Sequence, residues 1–587
     1  MQSIKRVMGS EQKILVSKQE VQKLFNSKGK LGNLFAYIIM NILRLNKLNR
    51  MYHQVYDDDA IKFTDNCIKL NNIKIKTFDI DIQNIPLSGP CIFFFNHPYG
   101  LLDALIIINI LLKIRPDTKF IANFLLKRVR PIAPYLFGVN PFETRKEVYS
   151  SHSGLKQMYD HLKSGGIVVI LPAGEVSTKY GKNKFVEDRE WQRNMIKFAM
   201  NTNVPVISGF CSGENSNLFH FAGKISPSLR TALLPREYII KRNIEVTLRF
   251  SSPMSAKAIS KFKDLKELGK FLKSKTYLLE YDDKNSIKTA KPVLQPLKEY
   301  LPKNEIIEEI RSLPEKFIVL KNENYWCYFI NKTDAPKAFE QITILREKTF
   351  REVGEGTGRS FDTDAYDEYY KHLILWDNEE GEIAGSYRIG LGKEILDKMG
   401  FKGFYLNSLF KFNPQFEKVL SKSMEMGRSF IVSQYQRRPL SLFLLWKGIY
   451  QVTQKYPEYK YLIGPASISS EYSLNSQILM VEYLKRHYSV KKHENMVSAI
   501  TPFKYKKTHH HRNILDIIGS DLNQLDKFIK DTDITRNGIP VLIKKYLSLG
   551  GKIVDFNVDP EFNYTIDGLV VLDIAVVPKE ILDVYSK

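Results

Sequence analysis

Cysteine is scarce in this sequence. The chain has 587 residues and 4 cysteines. Cys67, Cys91, Cys211 and Cys327 stand far apart and form none of the short spacings of zinc sites. A small secreted scaffold stapled by disulfides is excluded by the same scarcity. We therefore expect buried thiols in a reducing compartment.

Long apolar runs are also missing. Residues 92–114 come nearest to a membrane-spanning helix, but Asn96, His97, Asp103 and Asn109 interrupt them. Spanning a bilayer requires a run of about 18 or more apolar residues. The first residues do not follow the basic, apolar, small-residue order of a signal peptide. We expect neither a spanning helix nor a leader.

Residues 34–45 form a shorter apolar stretch, with Lys28, Lys30, Arg44 and Lys47 at its flanks. Two interpretations stay open for it. A helix of this kind can lie in a membrane interface. It can equally be a core helix with a basic rim.

Acidic residues are outnumbered in this chain. Its 64 Asp and Glu stand against 87 Lys and Arg, for a formal net charge of +23. Such an excess favours an anionic partner, namely nucleic acid, acidic lipid headgroups or an acidic carrier protein. The charge is spread along the chain and does not select among them. Because no zinc-finger or RNA-recognition signature is present, we expect no nucleic-acid partner.

The chain is too long for one ordinary core. We predict four consecutive parts: a basic helical region over 1–50, an α/β domain over 51–290, a linker over 291–315, and a second mixed α/β domain over 316–587. In the first domain, apolar strands alternate with helices, which predicts a largely parallel sheet. The strands are predicted at 91–95, 167–171 and 204–208, and the helices at 101–112, 153–163 and 187–201. The second domain is predicted to have strands at 326–330, 372–376, 383–388, 430–432 and 461–464, and helices at 335–350 and 440–456.

A histidine and an aspartate follow the first of these strands. The apolar run 91–95 breaks at Asn96 and Gly100, and an apolar helix then begins. This pattern places His97 and Asp103 at the mouth of a strand–loop–helix turn. An imidazole held by a carboxylate takes a proton from an alcohol near neutral pH, as transfer of an acyl group onto oxygen requires. The plainer alternative is a histidine that only satisfies loop backbone.

Three further blocks follow along the first domain. Arg145 comes after a glycine-led turn and offers a guanidinium fork suited to phosphate or carboxylate, although a surface arginine is the plainer interpretation. A later strand ends in a tight turn where Gly174, Glu175 and Ser177 can present amides and polar groups to a headgroup or an oxyanion. A Val-Pro-Val-Ile strand over 204–207 is either part of the site or plain core.

Together the four blocks resemble the glycerolipid acyltransferase superfamily, in the same order and at similar spacing over residues 60–255. The resemblance implies a glycerolipid acyltransferase-like α/β domain with His97 as the general base and Asp103 as the group that orients it. It also implies a set of substrate-binding residues: Asn96, Gly100, Arg145, Gly174, Glu175 and Ser177.

Two departures from the family pattern point to a subgroup. Five residues rather than four separate His97 from Asp103, and the carboxylate of the usual Pro-Glu-Gly stands two places later, at Glu175. Both departures match a haemolysin-labelled subgroup that includes bifunctional ornithine-lipid synthases. Residues 229–232 and 235–237 are also typical of that subgroup and are expected to line the same site.

Charged residues at short spacings mark the second half. Asp364 and Asp367 stand three apart, as do Glu425 and Arg428, so that each pair can face one way. A carboxylate near a thioester can take a proton from an α-ammonium group, and only the neutral amine attacks. An ion-pair network that stabilises the domain explains the same charges. From the charges alone, that network is the preferred interpretation.

The order of the charged residues resembles the acyl-homoserine-lactone synthases and the ornithine-lipid N-acyltransferases, which implies a GNAT-like mixed α/β domain. Glu425 is then the catalytic residue. The resemblance assigns the remaining positions to binding of the amino acid and the acyl donor: Arg346, Phe350, Asp364, Asp367, Arg388 and Arg428. Residues 434–439 lack the glycines of a coenzyme A pyrophosphate loop, which favours a phosphopantetheine on acyl carrier protein over acyl-CoA. An acidic carrier suits a basic chain, and no bound cofactor is expected.

His509, His510 and His511 form a histidine triplet that suggests a metal site. The neighbouring Lys506 and Lys507 favour a solvated loop instead. We therefore predict no metal site.

The two resemblances imply a pair of fused acyltransferases that make an aminolipid. The C-terminal domain is expected to N-acylate an amino acid with a 3-hydroxyacyl group, ornithine ranking first among ornithine, lysine, glycine and glutamine. The N-terminal domain would then O-acylate the lyso product. We expect a peripheral protein on the anionic cytoplasmic face of the inner membrane. Two alternatives stay open: a lysophospholipid or 1-acylglycerol-3-phosphate acyltransferase with a degenerate second domain, or a non-enzymatic haemolysin-like membrane protein.

Overall fold

The chain forms two compact units. The computed structural model describes residues 13–24, 29–139, 148–179, 185–281, 294–436, 438–490 and 495–586. The first unit comprises Met1–Tyr281, Thr508–Gly519 and Lys530–Arg536, and the second comprises Asp282–Lys507, Ser520–Ile529 and Asn537–Lys587.

A seven-stranded sheet forms the centre of the first unit. Its strands are β1 (Lys74–Lys76), β2 (Cys91–Phe95), β3 (Lys119–Asn123), β4 (Leu136–Val139), β5 (Ile167–Ile170), β6 (Val206–Cys211) and β7 (Glu245–Phe250). They lie in the order β1-β7-β6-β2-β5-β3-β4. Neighbouring strands are parallel except for the antiparallel pair β6–β7. The predicted α/β fold with a largely parallel sheet is confirmed.

The middle strand β2 shows why this sheet is parallel and covered by helices. All five of its residues are buried. Phe93 and Phe95 pack into one hydrophobic cluster and Ile92 and Phe94 into another. Because successive side chains of a strand point to opposite faces, both faces of the sheet are dry, as parallel sheets require.

Helices cover both faces of this sheet. The first unit contains the α-helices Lys18–Leu24, Gly29–Ile42, Leu45–Val55, Ala60–Leu70, Asp79–Ile82, Leu102–Ile114, Val148–Lys163, Arg193–Asn201, Asn217–Ile225, Pro227–Ala232, Leu234–Ile240, Ala256–Ile259, Leu265–Tyr277 and His509–Ile518. Among the residues that the structure describes, no helix has both the length and the apolar character that crossing a bilayer demands. The four cysteines are free and buried, as predicted.

The second unit contains an eight-stranded mixed sheet. Its strands are β8 (Ile318–Asn322), β9 (Tyr325–Asn331), β10 (Lys371–Asp377), β11 (Glu382–Leu391), β13 (Ser423–Ile431), β14 (Tyr461–Ile468), β16 (Lys552–Asp559) and β17 (Thr565–Asp573), while β12 (Phe410–Phe412) and β15 (Val497–Ala499) pair separately. The order is β16-β17-β14-β13-β11-β10-β9-β8. Only β13 and β14 are parallel neighbours among these strands.

The α-helices of the second unit include both helices predicted for it at 335–350 and 440–456. They are Lys303–Ser312, Pro336–Glu352, Gly392–Met399, Glu417–Leu420, Ser433–Gln436, Pro439–Lys455, Leu474–Tyr488, Leu522–Thr532, Val541–Ser548 and Lys579–Ser586. Residues 530–532 at the end of one helix belong to the first unit.

Two features of the second half differ from expectation. The strand predicted at 430–432 is the end of the longer strand β13, which therefore carries Glu425 and Arg428 itself. The segments Thr508–Gly519 and Lys530–Arg536 cluster with the first unit although they come late in the sequence. The sequence pattern does not reveal that these two segments pack in the first unit, because their packing depends on which residues they contact in the folded chain. The predicted division at 50, 290 and 315 stays a prediction.

Candidate active sites

The predicted histidine and aspartate meet in the first unit. His97 lies in the loop between β2 and the helix Leu102–Ile114, and its Nδ1 is 2.9 Å from Oδ2 of Asp103. The same carboxylate oxygen accepts the backbone N–H of Tyr99 at 3.0 Å. These contacts fix the imidazole ring and leave Nε2 as the nitrogen for a substrate.

Electrostatics strengthen His97 as a base. Burial lowers the pKa of the imidazole, but the charge and hydrogen bond of Asp103 outweigh it, so the pKa is raised overall. Burial likewise raises the pKa of Asp103, yet His97 and the backbone donors leave that carboxyl with a lowered pKa. A buried, ionised carboxylate is stable here because its acceptor sites are filled.

A second aspartate, Asp188, holds the backbone of His97. The N–H of His97 donates to Asp188 Oδ1 at 3.2 Å. The other oxygen of this carboxylate accepts from Trp191 Nε1 at 2.9 Å. Asp188 could not be found from the sequence, because it lies 91 positions from His97 in the chain and carries no motif of its own.

Two residues that were predicted to bind substrate, Ser177 and Asn96, form hydrogen bonds with other parts of the protein. The Ser177 N–H donates to the carbonyl of His97 at 2.8 Å, and its hydroxyl donates to Asp188. The side-chain amide of Asn96 exchanges two hydrogen bonds with the backbone of Cys211, at 2.8 and 2.9 Å. These polar groups are paired within the protein and both residues are buried, and substrate contact by them stays a prediction.

Backbone geometry explains the two glycines of the predicted site. Gly100 and Gly174 have φ of +97° and +69°, in the left-handed region that side chains disfavour. A Cβ on Gly100 would also lie 2.8 Å from Leu234 Cδ2. Each glycine therefore permits a turn, and Gly100 donates its N–H to Asp103 at 3.3 Å.

The carboxylate of Glu175 is paired with arginines. Arg230, which is nearly fully buried, and the exposed Arg189 both contact it. Arg230 belongs to the block 229–232, which was expected to line the same site as Glu175, and its guanidinium contacts Glu175. Arg145 lies outside the described residues.

Glu425 occupies the centre of the second unit. It is 1% exposed and accepts hydrogen bonds from the hydroxyl of Tyr370 and from the N–H of Leu406, the latter at 2.7 Å. Burial raises its pKa to about 7, against the opposing effect of these hydrogen bonds. A carboxyl that titrates near neutral pH is suited to general-base work.

Beside Glu425, three arginines and three aspartates form one buried network. Its pairs are Arg346–Asp362 at 2.8 Å, Arg346–Asp367 at 3.0 Å, Arg388–Asp364 at 2.5 Å, Arg388–Asp367 at 3.0 Å, Arg428–Asp362 at 3.2 Å and Arg428–Asp364 at 3.1 Å. The structure thus brings all five predicted charged partners of Glu425 together, and adds Asp362. It also bears out the ion-pair interpretation that the charges alone favoured.

The network is not fully closed at Arg388. Nε and Nη2 of its buried guanidinium have no hydrogen-bond partner within the described part of the chain. The Cζ atom of Arg388 lies 5.3 to 5.6 Å from the centroids of three tyrosine rings. The Nε–Nη2 edge is the one that receives a carboxylate through two parallel hydrogen bonds.

Phe350 is half-buried on the helix Pro336–Glu352, one turn beyond Arg346.

Glu425 also marks the point where two strands part. β13 pairs with β14 only from Ser423–Tyr461 to Glu425–Ile463. Beyond that point β13 pairs with β11 alone, and Arg428 adopts a φ of +49°. Arg388 and Glu425 share one face of the sheet, because Gly390 lies opposite Glu425 and two residues from Arg388.

The histidine triplet is not a solvated loop, and that prediction is wrong. His509 begins the helix His509–Ile518, and His510 and His511 are buried. The lysines at 506 and 507 misled the prediction because they precede the helix rather than sharing its packed face.

Comparison with known proteins supports two different domains. Residues 32–289 match the acyltransferase family, and residues 345–447 match the acetyltransferase (GNAT) domain family. The first match contains the His97–Asp103 pair and the second contains the network around Glu425.

Curated relatives carry both kinds of acyltransferase name. A glycine N(alpha)-acyltransferase of Bacteroides thetaiotaomicron is 29% identical over 50% of this chain and 87% of its own length. A lyso-glycine lipid O-acyltransferase of Phocaeicola vulgatus is 23% identical over 44% of this chain and 94% of its own. An L-ornithine N(alpha)-acyltransferase of Rhizobium meliloti is 25% identical over 43% and 80%.

The two family matches and the names of the relatives indicate an enzyme that transfers acyl groups, against the non-enzymatic alternative. They also confirm the predicted order of the two folds along the chain. The chain is therefore an acyltransferase that carries an acyltransferase-family domain followed by a GNAT domain.

Proposed function

We propose that this enzyme builds an aminolipid in two acyl transfers, one in each unit. The observation that carries the proposal is the pair of separate proton acceptors, His97 held by Asp103 and Glu425 with a pKa raised to about 7. The relatives named for N-acylation of an amino acid and for O-acylation of a lyso-aminolipid support the same division.

The second unit would form the amide bond first. Glu425 takes a proton from the α-ammonium group, the neutral amine attacks the acyl thioester, and the thiol leaves. The buried, unpaired Nε–Nη2 edge of Arg388 suits the α-carboxylate of the amino acid. Arg388 and Glu425 share a face of the sheet, so the carboxylate and the amine of one amino acid would both be bound on that face.

The acyl donor would enter where β13 and β14 part. Unpaired backbone groups on the facing edges can hydrogen-bond an extended pantetheine arm as a strand would. We propose an acyl carrier protein as donor, because residues 434–439 lack glycine and the chain carries a net charge of +23. A 3-hydroxyacyl chain would give the product the hydroxyl that the next step requires.

The first unit would then esterify that hydroxyl. Nε2 of His97 takes the hydroxyl proton and the oxygen attacks the second acyl thioester. Asp103 stabilises the imidazolium that forms, the C–S bond breaks, and the imidazolium gives its proton to the departing thiolate. Asp188 and Ser177 hold the His97 backbone in place during the step.

The first unit would work at a membrane surface, peripheral to the cytoplasmic face of the inner membrane. Leu34, Tyr37, Ile38 and Ile42 of the helix Gly29–Ile42 are exposed. A second group of exposed apolar side chains lies on the helices Asn217–Ile225 and Pro227–Ala232: Leu218, Phe221, Ile225 and Leu229. Leu43 packs on the cluster that contains Phe219 and Leu233, so the two groups are neighbours. Apolar residues on a basic chain suit an anionic lipid surface.

Lipid mass spectrometry of cells that express the protein tests the two-step scheme. We expect a diacylated aminolipid, whose headgroup fragment distinguishes glycine from ornithine. His97→Ala should leave the monoacylated lyso form, and Glu425→Gln should remove both lipids. A lysophospholipid acyltransferase would instead lose phosphatidate formation in His97→Ala and be indifferent to Glu425→Gln, which would refute the proposal.

Vesicle sedimentation tests the membrane surface separately. Phe221→Glu combined with Ile225→Glu should weaken binding to anionic vesicles by introducing charge into the apolar group. Val541→Glu, at an exposed apolar position of the second unit, is the matched control. Equal binding by both variants would contradict the assignment.

A further inference from the structure

Three side chains of metal-binding type converge in the first unit, apart from the His97–Asp103 pair. One ligand atom each of Glu187, His509 and His510 lies within 4.8 Å of the other two. The Nε2 atoms of His509 and His510 are 3.2 and 3.4 Å from the same oxygen, Glu187 Oε2. Ligands of a tetrahedral zinc ion with bonds of about 2.0–2.2 Å lie roughly 3.3 Å apart. The separations of 3.2 and 3.4 Å therefore fit two ligands of one ion as well as they fit an ion pair.

The surrounding residues hold this arrangement in place. Nδ1 of His510 is 3.2 Å from the hydroxyl of Ser274, which also accepts from Asn513 Nδ2 at 3.1 Å. The His510 ring stacks on Tyr277 with centroids 4.7 Å apart and planes within 4°. A hydrogen bond to the far nitrogen of a histidine is the usual support of a metal ligand, because it sets the tautomer and the ring orientation.

Glu187 is held equally firmly by its backbone. Its N–H and carbonyl form a two-way bridge with Thr178, at 3.2 and 3.0 Å. This pairing fixes the backbone from which the Glu187 side chain reaches the two histidines. His509 is 46% exposed, which gives an ion a route from solvent and leaves room for a water ligand.

We propose that Glu187, His509 and His510 bind a divalent transition-metal cation, with zinc as the first candidate. Two imidazole nitrogens and one carboxylate oxygen are a donor set that zinc accepts, with solvent in the fourth position. Calcium and magnesium prefer oxygen ligands alone and fit this set poorly.

Lys273 is the competing cation at this site. Its Nζ lies 3.5 Å from Glu187 Oε2. The same ammonium donates to the carbonyl of Asp188 at 2.6 Å, so it keeps a partner when a metal takes the carboxylate. A proton shared between Glu187 and the histidines is the other competitor, and the experiment below separates these cases.

Such an ion would fasten Thr508–Gly519 to the segment that contains Asp188. Asp188 follows Glu187 directly and holds the backbone of His97. The Asp188 N–H is also bonded to the hydroxyl of Tyr277, the ring on which His510 stacks, at 2.6 Å. The metal would therefore stiffen the support of the imidazole without touching it.

The test is metal binding by the full chain, without a histidine tag and after treatment with a chelator. Titration calorimetry with zinc alone should show one equivalent, and cobalt should give the visible absorption of a tetrahedral site. Glu187→Gln and His510→Ala should lose both signals, while Ser274→Ala should weaken the zinc affinity roughly 10- to 100-fold. The matched control is His511→Asn, because His511 caps the helix through Thr508 instead and should keep one zinc.

Retention of wild-type zinc affinity by Glu187→Gln, or no uptake of zinc or cobalt by the wild type, would overturn the proposal. Circular dichroism of each variant verifies folding. If His510→Ala does not fold, Glu187→Gln and Ser274→Ala decide the question, since both change few atoms. Binding that disappears equally in His511→Asn would also count against the assigned ligands.

Discussion

At the scale of single residues, the two proposed proton acceptors owe their raised pKa values to opposite causes. Each proposed transfer needs a group that is largely unprotonated, yet basic, near neutral pH. In the first unit, Asp103 raises the pKa of an imidazole that burial alone would lower. In the second, burial raises the pKa of Glu425 to about 7 although two hydrogen bonds oppose it. The pH dependence of the two reactions should therefore respond to different substitutions.

Substitution of Asp103 should reveal its effect on His97. In Asp103→Asn the charge that raises the imidazole pKa is gone, so the acidic limb of the O-acylation profile should move to lower pH. The rate at the plateau should fall roughly 10²- to 10⁴-fold, in the range that general-base catalysis supplies, because the ring is no longer oriented.

Asp160→Asn, at an exposed position of the same unit, is the control and should match the wild type in both respects. The measurement is the initial rate of lyso-lipid acylation from pH 5 to pH 9. A profile of Asp103→Asn that is lower but not displaced would contradict the electrostatic role.

Tyr370 gives the corresponding test for Glu425. Its hydroxyl lowers the pKa of this carboxyl, so Tyr370→Phe should raise that pKa and move the N-acylation profile toward higher pH. A hydrogen bond to a charged group is worth about 1.5–3 kcal/mol, which corresponds to a shift of roughly one pH unit or more. Glu425→Gln should lose about 10² to 10⁴ in rate above pH 7, where Glu425 is ionised, and less at more acidic pH.

The rate of amide formation from pH 6 to pH 9 is the measurement, and Glu417→Gln, on an exposed helix of the same unit, serves as control. If Tyr370→Phe titrates at the wild-type pH, the hydroxyl does not act on the carboxylate as the geometry requires.

At the scale of elements, the sequence predicted most of what determines the two sheets. Apolar strands such as 91–95 and amphipathic helices such as 336–352 have local periodicities that survive in the fold. Residues such as Asp188, Asp362 and Tyr370 were out of reach, because each acts through a contact far away in the chain. The internal hydrogen bonds of Asn96 and Ser177 were out of reach for the same reason: their motif position was visible, whereas their buried partners were not.

The arginine–aspartate network belongs to this scale, since it joins the helix Pro336–Glu352 to β11 and β13. Asp367 is its most buried acid and pairs with Arg346 and Arg388. Asp367→Asn would leave these guanidinium groups short of charge, and loss of one partner from a buried pair costs about 3–5 kcal/mol of unfolding free energy. Asp364→Asn should cost less, because Asp364 is 22% exposed.

Calorimetric unfolding of the second unit measures this difference, and pH gives a further check. Burial raises the pKa of Asp367, but its arginine partners lower it well below the usual range. Its contribution to stability is therefore complete above the unfolded pKa of about 4 and is lost as pH falls through the folded value. The gap between wild type and Asp367→Asn should be full at pH 7 and narrow in strong acid. If Asp367→Asn and Asp364→Asn lower the free energy of unfolding by the same amount, burial does not decide the contribution of these aspartates.

At the scale of the whole molecule, the chain order and the spatial units do not coincide. In the proposed two-step scheme, fusion would raise the effective concentration of the lyso intermediate for the second transfer. The return of Lys530–Arg536 to the first unit adds a structural reason for fusion. Arg536 Nη2 donates to Asp81 Oδ1 at 2.7 Å, and the carbonyl of Thr532 accepts from Arg249 at 3.3 Å. Asp81, Arg249 and Thr532 are all buried, so the late segment completes the interior of the early one.

A chain that ends at residue 290 should therefore be less stable than the first unit within the full protein. Removal of residues 508–519 and 530–536 exposes the Asp81–Arg249 pair to water and leaves Tyr277 without its stacked histidine. Hydrogen exchange of β6 and β7 should be faster in the fragment, because β7 carries Arg249 and pairs with β6. In the full chain, Arg536→Ala should reproduce part of this increase by removing one contact of Asp81, whereas Lys579→Ala, in the last helix of the second unit, should leave it unchanged. If hydrogen exchange of β6 and β7 is as slow in the fragment as in the full chain, the first unit is stable without the late segments and the prediction is wrong.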